Sequence, residues 1–300
     1  MKKIRISIVQ YLNTAPLIWG FTQGPLQDKY ELSFTIPSQC ADDLRDGRAD
    51  VAIIPAIEFQ RIEDLVVLPA LAIASKKQVR SLLIVSRKPI TEVGSIALDV
   101  SSRSTQALTR ILCSEHWNIS PRFFEAAPDV SRMLDDADAA LLIGDPALRL
   151  AIAMGESAET GSAGEWVCDA KRIGGKGGTQ LHVYDVVQHW RDLTGLPAVL
   201  AVWAARRETV TQEILADFTD SKEYGMARIE EISADAADKM SLPQAELTSY
   251  LRDNIDFTLD SENISGLEMY YCLAAKLGLT PRAKAIEWAA VPDADVIRVY

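Results

Sequence analysis

The first 17 residues constrain the fold more than any other stretch, because a strand gives way to a helix there with almost no room between them. Ile4, Ile6, Ile8 and Val9 form a short apolar run rich in β-branched side chains, which predicts a buried strand. Pro16 then falls in what would be the first helical turn, where a missing N–H costs nothing, and Asn13 and Thr14 precede it as capping candidates. The same grammar continues downstream. Residues 31–36 alternate polar and apolar, 39–47 read as a short helix stopped by glycine, and 50–55 form a second buried strand. Strand, helix, strand, helix, strand in this order predicts parallel βαβ units. In such sheets ligands bind beyond the carboxyl ends of the strands, where free helix amides favour carboxylates or phosphates. Asn13 stands at such an end, and the residues alone leave it either a helix cap or a ligand contact.

A chain of 300 residues exceeds the usual size of one core, so two lobes are expected. The formal charge of −11, with no basic stripe to offset it, argues against nucleic acid and anionic membrane as partners. It also means that an anionic ligand would need a local cluster of donors. No stretch has the length and apolarity of a membrane span, and the amino terminus runs into a strand without a signal-peptide pattern, so a cytoplasmic location is expected. Cys40, Cys113, Cys168 and Cys272 are widely spaced and read as reduced thiols. His116, His182 and His189 are equally scattered, which gives no support to a metal centre or a Ser-His-Asp triad.

Further along, residues 65–75 are strand-like but interrupted by Pro69, and 81–86 form another buried strand closed by Arg87-Lys88-Pro89. The change in composition there places a crossing between lobes at 86–93, and a second crossing precedes the strand at 196–203. This divides the chain into lobe I, residues 1–88 plus 199–300, and lobe II, residues 89–198. After a strand at 95–99, the run Ser101-Ser102-Arg103-Ser104-Thr105 opens a helix whose Leu108, Ile111 and Leu112 recur at helical spacing, with Ser104 or Thr105 as its cap. The run holds more donors than one cap requires. It is either a solvated loop with a cap or an anion cradle of amides and hydroxyls. The strand at 139–143 ends in Gly144 and Asp145 before a helix starting at Pro146, and Asp145 reads as a cap, a hinge contact or a ligand contact. Pro128 opens a helix through Leu134, and residues 183–193 read as a helix. Residues 155–178 form a loop-rich excursion around one strand at 166–167, and 171–178 are glycine-rich without a phosphate-loop ending. From Thr209 onward the pattern is almost wholly helical, with one helix starting at Pro243 and another capped by Ser261.

Two α/β lobes joined by two crossings, with carboxyl-terminal helices returning to the first lobe, resemble the type II periplasmic-binding-protein fold, in which a cleft closes on a small ligand. The motifs narrow this further. Gln10-Tyr11-Leu12-Asn13-Thr14-Ala15-Pro16-Leu17, Ser102-Arg103-Ser104-Thr105, Leu142-Ile143-Gly144-Asp145-Pro146-Ala147-Leu148 and Thr194-Gly195-Leu196-Pro197 followed by Ala201-Val202-Trp203-Ala204-Ala205-Arg206 are similar to motifs of the chorismate dehydratase family, in the right order along most of the chain. Here the hydroxyl loop ends Arg-Ser-Thr, where the family often has Arg-Thr-Ser, and Pro146 stands where an alanine is frequent.

The resemblance implies a hydro-lyase of the futalosine route to menaquinone. It would convert chorismate to 3-[(1-carboxyvinyl)oxy]benzoate and water without metal or organic cofactor. It also implies catalytic roles for Asn13 and Ser81, with a substrate carboxylate held by Ser102, Ser104 and Thr105, beside Gly144 and Asp145. Family chemistry suggests that the substrate's own enolpyruvyl carboxylate removes the ring proton, so that the protein positions and stabilises. Arg103 would either pair with the dianion or point away while amides do the binding. The alternatives are 1,4-dihydroxy-6-naphthoate synthase of the same pathway, which is expected to use a cleft histidine, and a non-catalytic binding protein for a small carboxylate.

Overall fold

The computed structural model describes residues 3–155, 159–160, 165–169 and 180–290. The glycine-rich run at 171–178 and the tail from 291 lie outside the described residues.

The opening βαβ pattern becomes β1 (Arg5–Val9), α1 (Ala15–Thr22), β2 (Glu31–Thr35), α2 (Pro37–Arg45) and β3 (Val51–Pro55), with β1 parallel to both β2 and β3. β4 (Leu65–Ser75) completes this region as one continuous strand. Pro69 does not interrupt it: Pro69 and the left-handed Ala70 are exposed at an irregularity in the pairing, where a missing N–H is tolerated. Next come β5 (Leu82–Ser86), β6 (Ser95–Asp99), α3 (Arg103–Ile111), β7 (Arg122–Ala126), α4 (Val130–Asp136), β8 (Ala139–Ile143) and α5 (Gly144–Met154). β9 (Glu159–Thr160), β10 (Glu165–Asp169), β11 (Gln180–Asp185), α6 (Val186–Thr194) and β12 (Ala198–Arg206) follow. The chain then turns helical as expected, with α7 (Gln212–Met226), α8 (Ile229–Met240), α9 (Gln244–Ser249) and α10 (Ser261–Lys276).

The strands form two sheets, ordered β2-β1-β3-β12-β4 and β7-β6-β8-β5-β11-β10-β9. β5 therefore belongs to the second sheet, and the crossing expected at 86–93 is corrected: the chain leaves the first sheet at Ser75 and enters the second at Leu82. The reason is burial. Every β5 residue is buried, and the strand pairs on both sides, with β8 and β11, while Arg87 and Lys88 merely end it at the surface. The true crossing is tied down by the wholly buried Asp185, whose carboxylate accepts the amides of Val79 (2.9 Å) and Arg80 (2.7 Å) as well as those of Val187 and Gln188 at the start of α6. Arg80 adopts a left-handed φ of 62°, uncommon for a side chain of its size, immediately before Ser81. The return crossing lies where expected, between α6 and β12. There Gly195 is left-handed and the Trp190 indole donates to the Pro197 carbonyl at 2.9 Å.

Local boundaries shift where a neighbouring residue offers better capping. The helix expected from Pro128 begins at Val130 because Asp129 caps it, Asp260 rather than Ser261 caps α10, and residues 183–185 end a strand before α6 begins. The carboxyl-terminal helices return to the first sheet. α7 lies so close to α1 that a Cβ on Gly225 would sit 2.0 Å from the Pro16 carbonyl oxygen, and the Ser221 hydroxyl donates to the Leu17 carbonyl. One apolar core runs continuously through residues of both sheets.

The histidines are less scattered in space than in sequence. His189 Nδ1 lies 3.3 Å from His116 Nε2, with Trp117 and Tyr184 rings against the pair. Burial lowers the His189 pKa from its ordinary 6.5 to about 4. Between those values an unfolded chain binds a proton that the native state refuses, so His189 withdraws stability as pH falls. Buried Asp185, pushed up to about 6, acts with the opposite sign, so a variant comparison isolates the imidazole. Denaturant titrations at pH 7 and pH 5 should show His189→Phe losing about 2 kcal/mol less than the parent, at ~1.4 kcal/mol per pH unit. Equal losses in the two proteins would contradict the assignment.

Candidate active site

The turn after β1 does not cap its helix. Thr14 occupies the cap position of α1 without a side-chain bond, and the Asn13 side chain makes no capping contact either. Asn13 is instead buried, 9% exposed, near enough to the Tyr250 hydroxyl to bear on its ionisation. That hydroxyl donates to Ser81 Oγ at 2.9 Å, so the two candidate catalytic residues, far apart in sequence, lie beside the same buried phenol. Burial pushes the Tyr250 phenol above its ordinary pKa, with hydrogen bonding by Ser81 and Asn13 working the other way.

The backbone completes the cluster. The Leu12 amide donates to Asp145 Oδ1 at 3.0 Å, and the Gly144 amide donates to the Ser81 carbonyl at 2.8 Å. Asp145 is therefore a contact between the β1 and β8 turns and not the cap of α5, which begins at Gly144. Burial raises the Asp145 pKa, opposed by the Leu12 amide. Gly144 holds a φ of 64°, and a Cβ there would fall 2.6 Å from the Tyr11 ring, so glycine is required both for the turn and for Tyr11 to lie over it. Tyr11 in turn donates to Ser101 Oγ at 3.3 Å, and its phenol is pushed up to about 12, mainly by burial. Ser101 rests on the buried Asp99 carboxylate, which also accepts the Ile143 amide.

In the hydroxyl-rich loop the cap is Ser102, not Ser104 or Thr105. Its side chain accepts from the Thr105 amide, and the two hydroxyls lie 3.1 Å apart. Ser104 ties this loop to the first sheet: its Oγ accepts the Ile57 amide at 3.1 Å and its carbonyl accepts the Tyr270 hydroxyl at 3.0 Å. A hydroxyl that accepts one bond can still donate its proton, so Ser104 keeps a donor for a ligand. Arg103 points away from the turns at Asn13 and Gly144. Its guanidinium makes two 2.9 Å contacts to Asp42 and one of 3.2 Å to the buried Glu58, which Arg45 and Arg61 also reach.

The structure thus gathers Asn13, Ser81, Gly144 and Asp145 around Tyr250 and Leu12, and sets Ser102, Ser104 and Thr105 on the adjoining helix start, linked through Tyr11 and Ser101. Tyr11, Asp99 and Tyr250 are absent from the site residues expected from sequence. Only Tyr11 carries a local signal, as part of the first motif; Tyr250 sits in a helical segment with none. Separately, ligating atoms of His116, His189 and Asp192 lie within 4.8 Å of one another, a grouping that spacing in sequence does not reveal. Among the described residues no helix is long and apolar enough to cross a membrane.

A family model described as menaquinone biosynthesis matches residues 4–276. The chorismate dehydratase of Thermus thermophilus is 25% identical over 282 residues, covering 93% of this chain and 97% of that protein. Among solved structures, protein AF1704 of Archaeoglobus fulgidus superposes with a TM-score of 0.69 at 17% identity over 92% of this chain and 98% of that one. The periplasmic aliphatic sulphonate binding protein of Escherichia coli does so with a TM-score of 0.60 at 18% identity, over 95% and 96%. A Candida albicans protein described as having the generic periplasmic binding protein fold gives 0.60 at 9% identity, over 99% of each chain. The two-lobed α/β fold expected from sequence is borne out.

Gly144→Ala tests the packing of the two turns. It forces a Cβ into the Tyr11 ring at a left-handed φ, and should cost about 2 kcal/mol or more in urea unfolding. Unchanged stability would mean that Tyr11 does not lie over Gly144.

Proposed function

The chain belongs to the menaquinone biosynthesis family, and from that membership we propose that it is a chorismate dehydratase, a hydro-lyase converting chorismate to 3-[(1-carboxyvinyl)oxy]benzoate and water. The observation that carries the site assignment is the bond from the buried Tyr250 hydroxyl to Ser81 Oγ, with Asn13 beside the same phenol, at the junction of the two sheets.

Loss of water makes the chorismate ring aromatic, so the reaction is downhill and the protein has chiefly to position the substrate and stabilise developing charge. The substrate's enolpyruvyl carboxylate takes the ring proton, and hydroxide leaves from the adjacent carbon as the ring closes its aromatic system. Asn13 and Ser81 bring an amide and a hydroxyl from opposite sheets to the ring substituents. Preorganised donors of this kind are worth several kcal/mol because they need no rearrangement as charge develops. The start of α3, with its first amides and the Ser104 and Thr105 hydroxyls, receives a carboxylate. Arg103 is spent on Asp42 and Glu58, which supports amides and hydroxyls as the carboxylate's partners.

The sister naphthoate synthase is disfavoured on the positions of the histidines: His182 bonds Glu165, and His116 and His189 bond each other. A cytoplasmic setting belongs to the same proposal, since chorismate is a dianion that does not cross a bilayer unaided.

Purified protein incubated with chorismate should release a product lighter by one water. Asn13→Ala and Ser81→Ala should each lower turnover by about 100-fold, the scale of losing one preorganised donor, while both variants stay folded. Near-normal turnover in both would sink the site assignment, and tight binding of chorismate without conversion would favour a binding protein.

A further inference from the structure

Tyr250 opens a π-helical turn (Tyr250–Asn254) directly after α9, an arrangement rare in proteins and frequent at functional sites. Its side chain is 1% exposed, and a phenylalanine would fill the same space without having to bury a hydroxyl. The hydroxyl is aimed at Ser81 Oγ, 2.9 Å away.

Building on the dehydratase reading, we propose that Tyr250 is a positioning residue: by donating its proton to Ser81 Oγ it fixes the serine rotor so that the serine's own hydrogen is delivered to the substrate. A serine oxygen has two lone pairs and one hydrogen. With one lone pair taken by Tyr250, the hydroxyl cannot turn its hydrogen onto the phenol, and the O–H is left to donate elsewhere. The Ser81 carbonyl is held by the Gly144 amide, and the chain before it by the bonds from Val79 and Arg80 to Asp185, so backbone and side chain are both locked.

The test is Tyr250→Phe, which keeps the ring and removes only the hydroxyl, compared with Ser81→Ala and the double variant. Tyr250→Phe should lower kcat about tenfold or more with KM changed less than about threefold, and the double variant should turn over no more slowly than Ser81→Ala alone. An unchanged kcat, a loss confined to KM, or a double variant whose loss is the product of the two single losses would overturn the proposal. If the phenylalanine variant does not fold, 3-fluorotyrosine at position 250, which keeps ring and hydroxyl, gives a second reading. Its fluorine resonance should shift when chorismate binds to the parent background and not in Ser81→Ala; no shift in either overturns the proposal. A wild-type protein that leaves chorismate unchanged removes this inference together with the dehydratase reading. Active wild type matched by Tyr250→Phe removes this inference alone.

Discussion

The bond from the Leu12 amide to the Asp145 carboxylate, 3.0 Å long, joins the first turn of one sheet to a strand-end turn of the other, and the remaining features of the site follow from it. It requires Gly144 to turn left-handed so that the Tyr11 ring can lie over it, and it leaves the Gly144 amide free to hold Ser81. Parallel contacts repeat the pattern along the same seam: the Ser38 amide to the Ser101 carbonyl, the Ile57 amide to Ser104, and Tyr270 to the Ser104 carbonyl. Each satisfies a backbone group of one element with a polar group of another. Such groups would be costly to bury alone and become specific when paired. The carboxyl-terminal helices reinforce the seam from behind, since Tyr250 and Tyr270 reach it from opposite ends of that region.

The charge balance fits this picture. A net charge of −11 is a poor setting for a dianion, yet Arg103 is paired with Asp42 and Glu58. The starts of α3 and α5 meet the first turn at this junction, and the Asp145 carboxylate already occupies the Leu12 amide there. The Arg103 network with Asp42, Glu58, Arg45 and Arg61 instead fastens α3 to the first sheet.

Much of this was legible in the sequence, because short buried strands and strand-end turns are local patterns. The opening βαβ unit, the Gly144-Asp145 turn and the hydroxyl-rich run were all placed by neighbours within a few residues. What failed was whatever depended on a distant partner. β5 reads as the last strand of the first lobe until its pairing with β8 and β11 is known. Asp145 stays open between cap, hinge contact and ligand contact because its partner, the Leu12 amide, lies 133 residues away. Tyr250 carried no motif, since its role comes from Ser81, 169 residues distant, and the His116–His189 pair was hidden for the same reason.

The most direct test of the seam as the ligand-closing element is residue-resolved amide hydrogen exchange with and without chorismate. The account predicts that Leu12, Ser38 and Ile57, whose amides cross the junction, slow together when chorismate binds, because each bond breaks only when the two sheets part. Exchange at these amides that ignores chorismate, or that slows at only one of the three, would contradict the account.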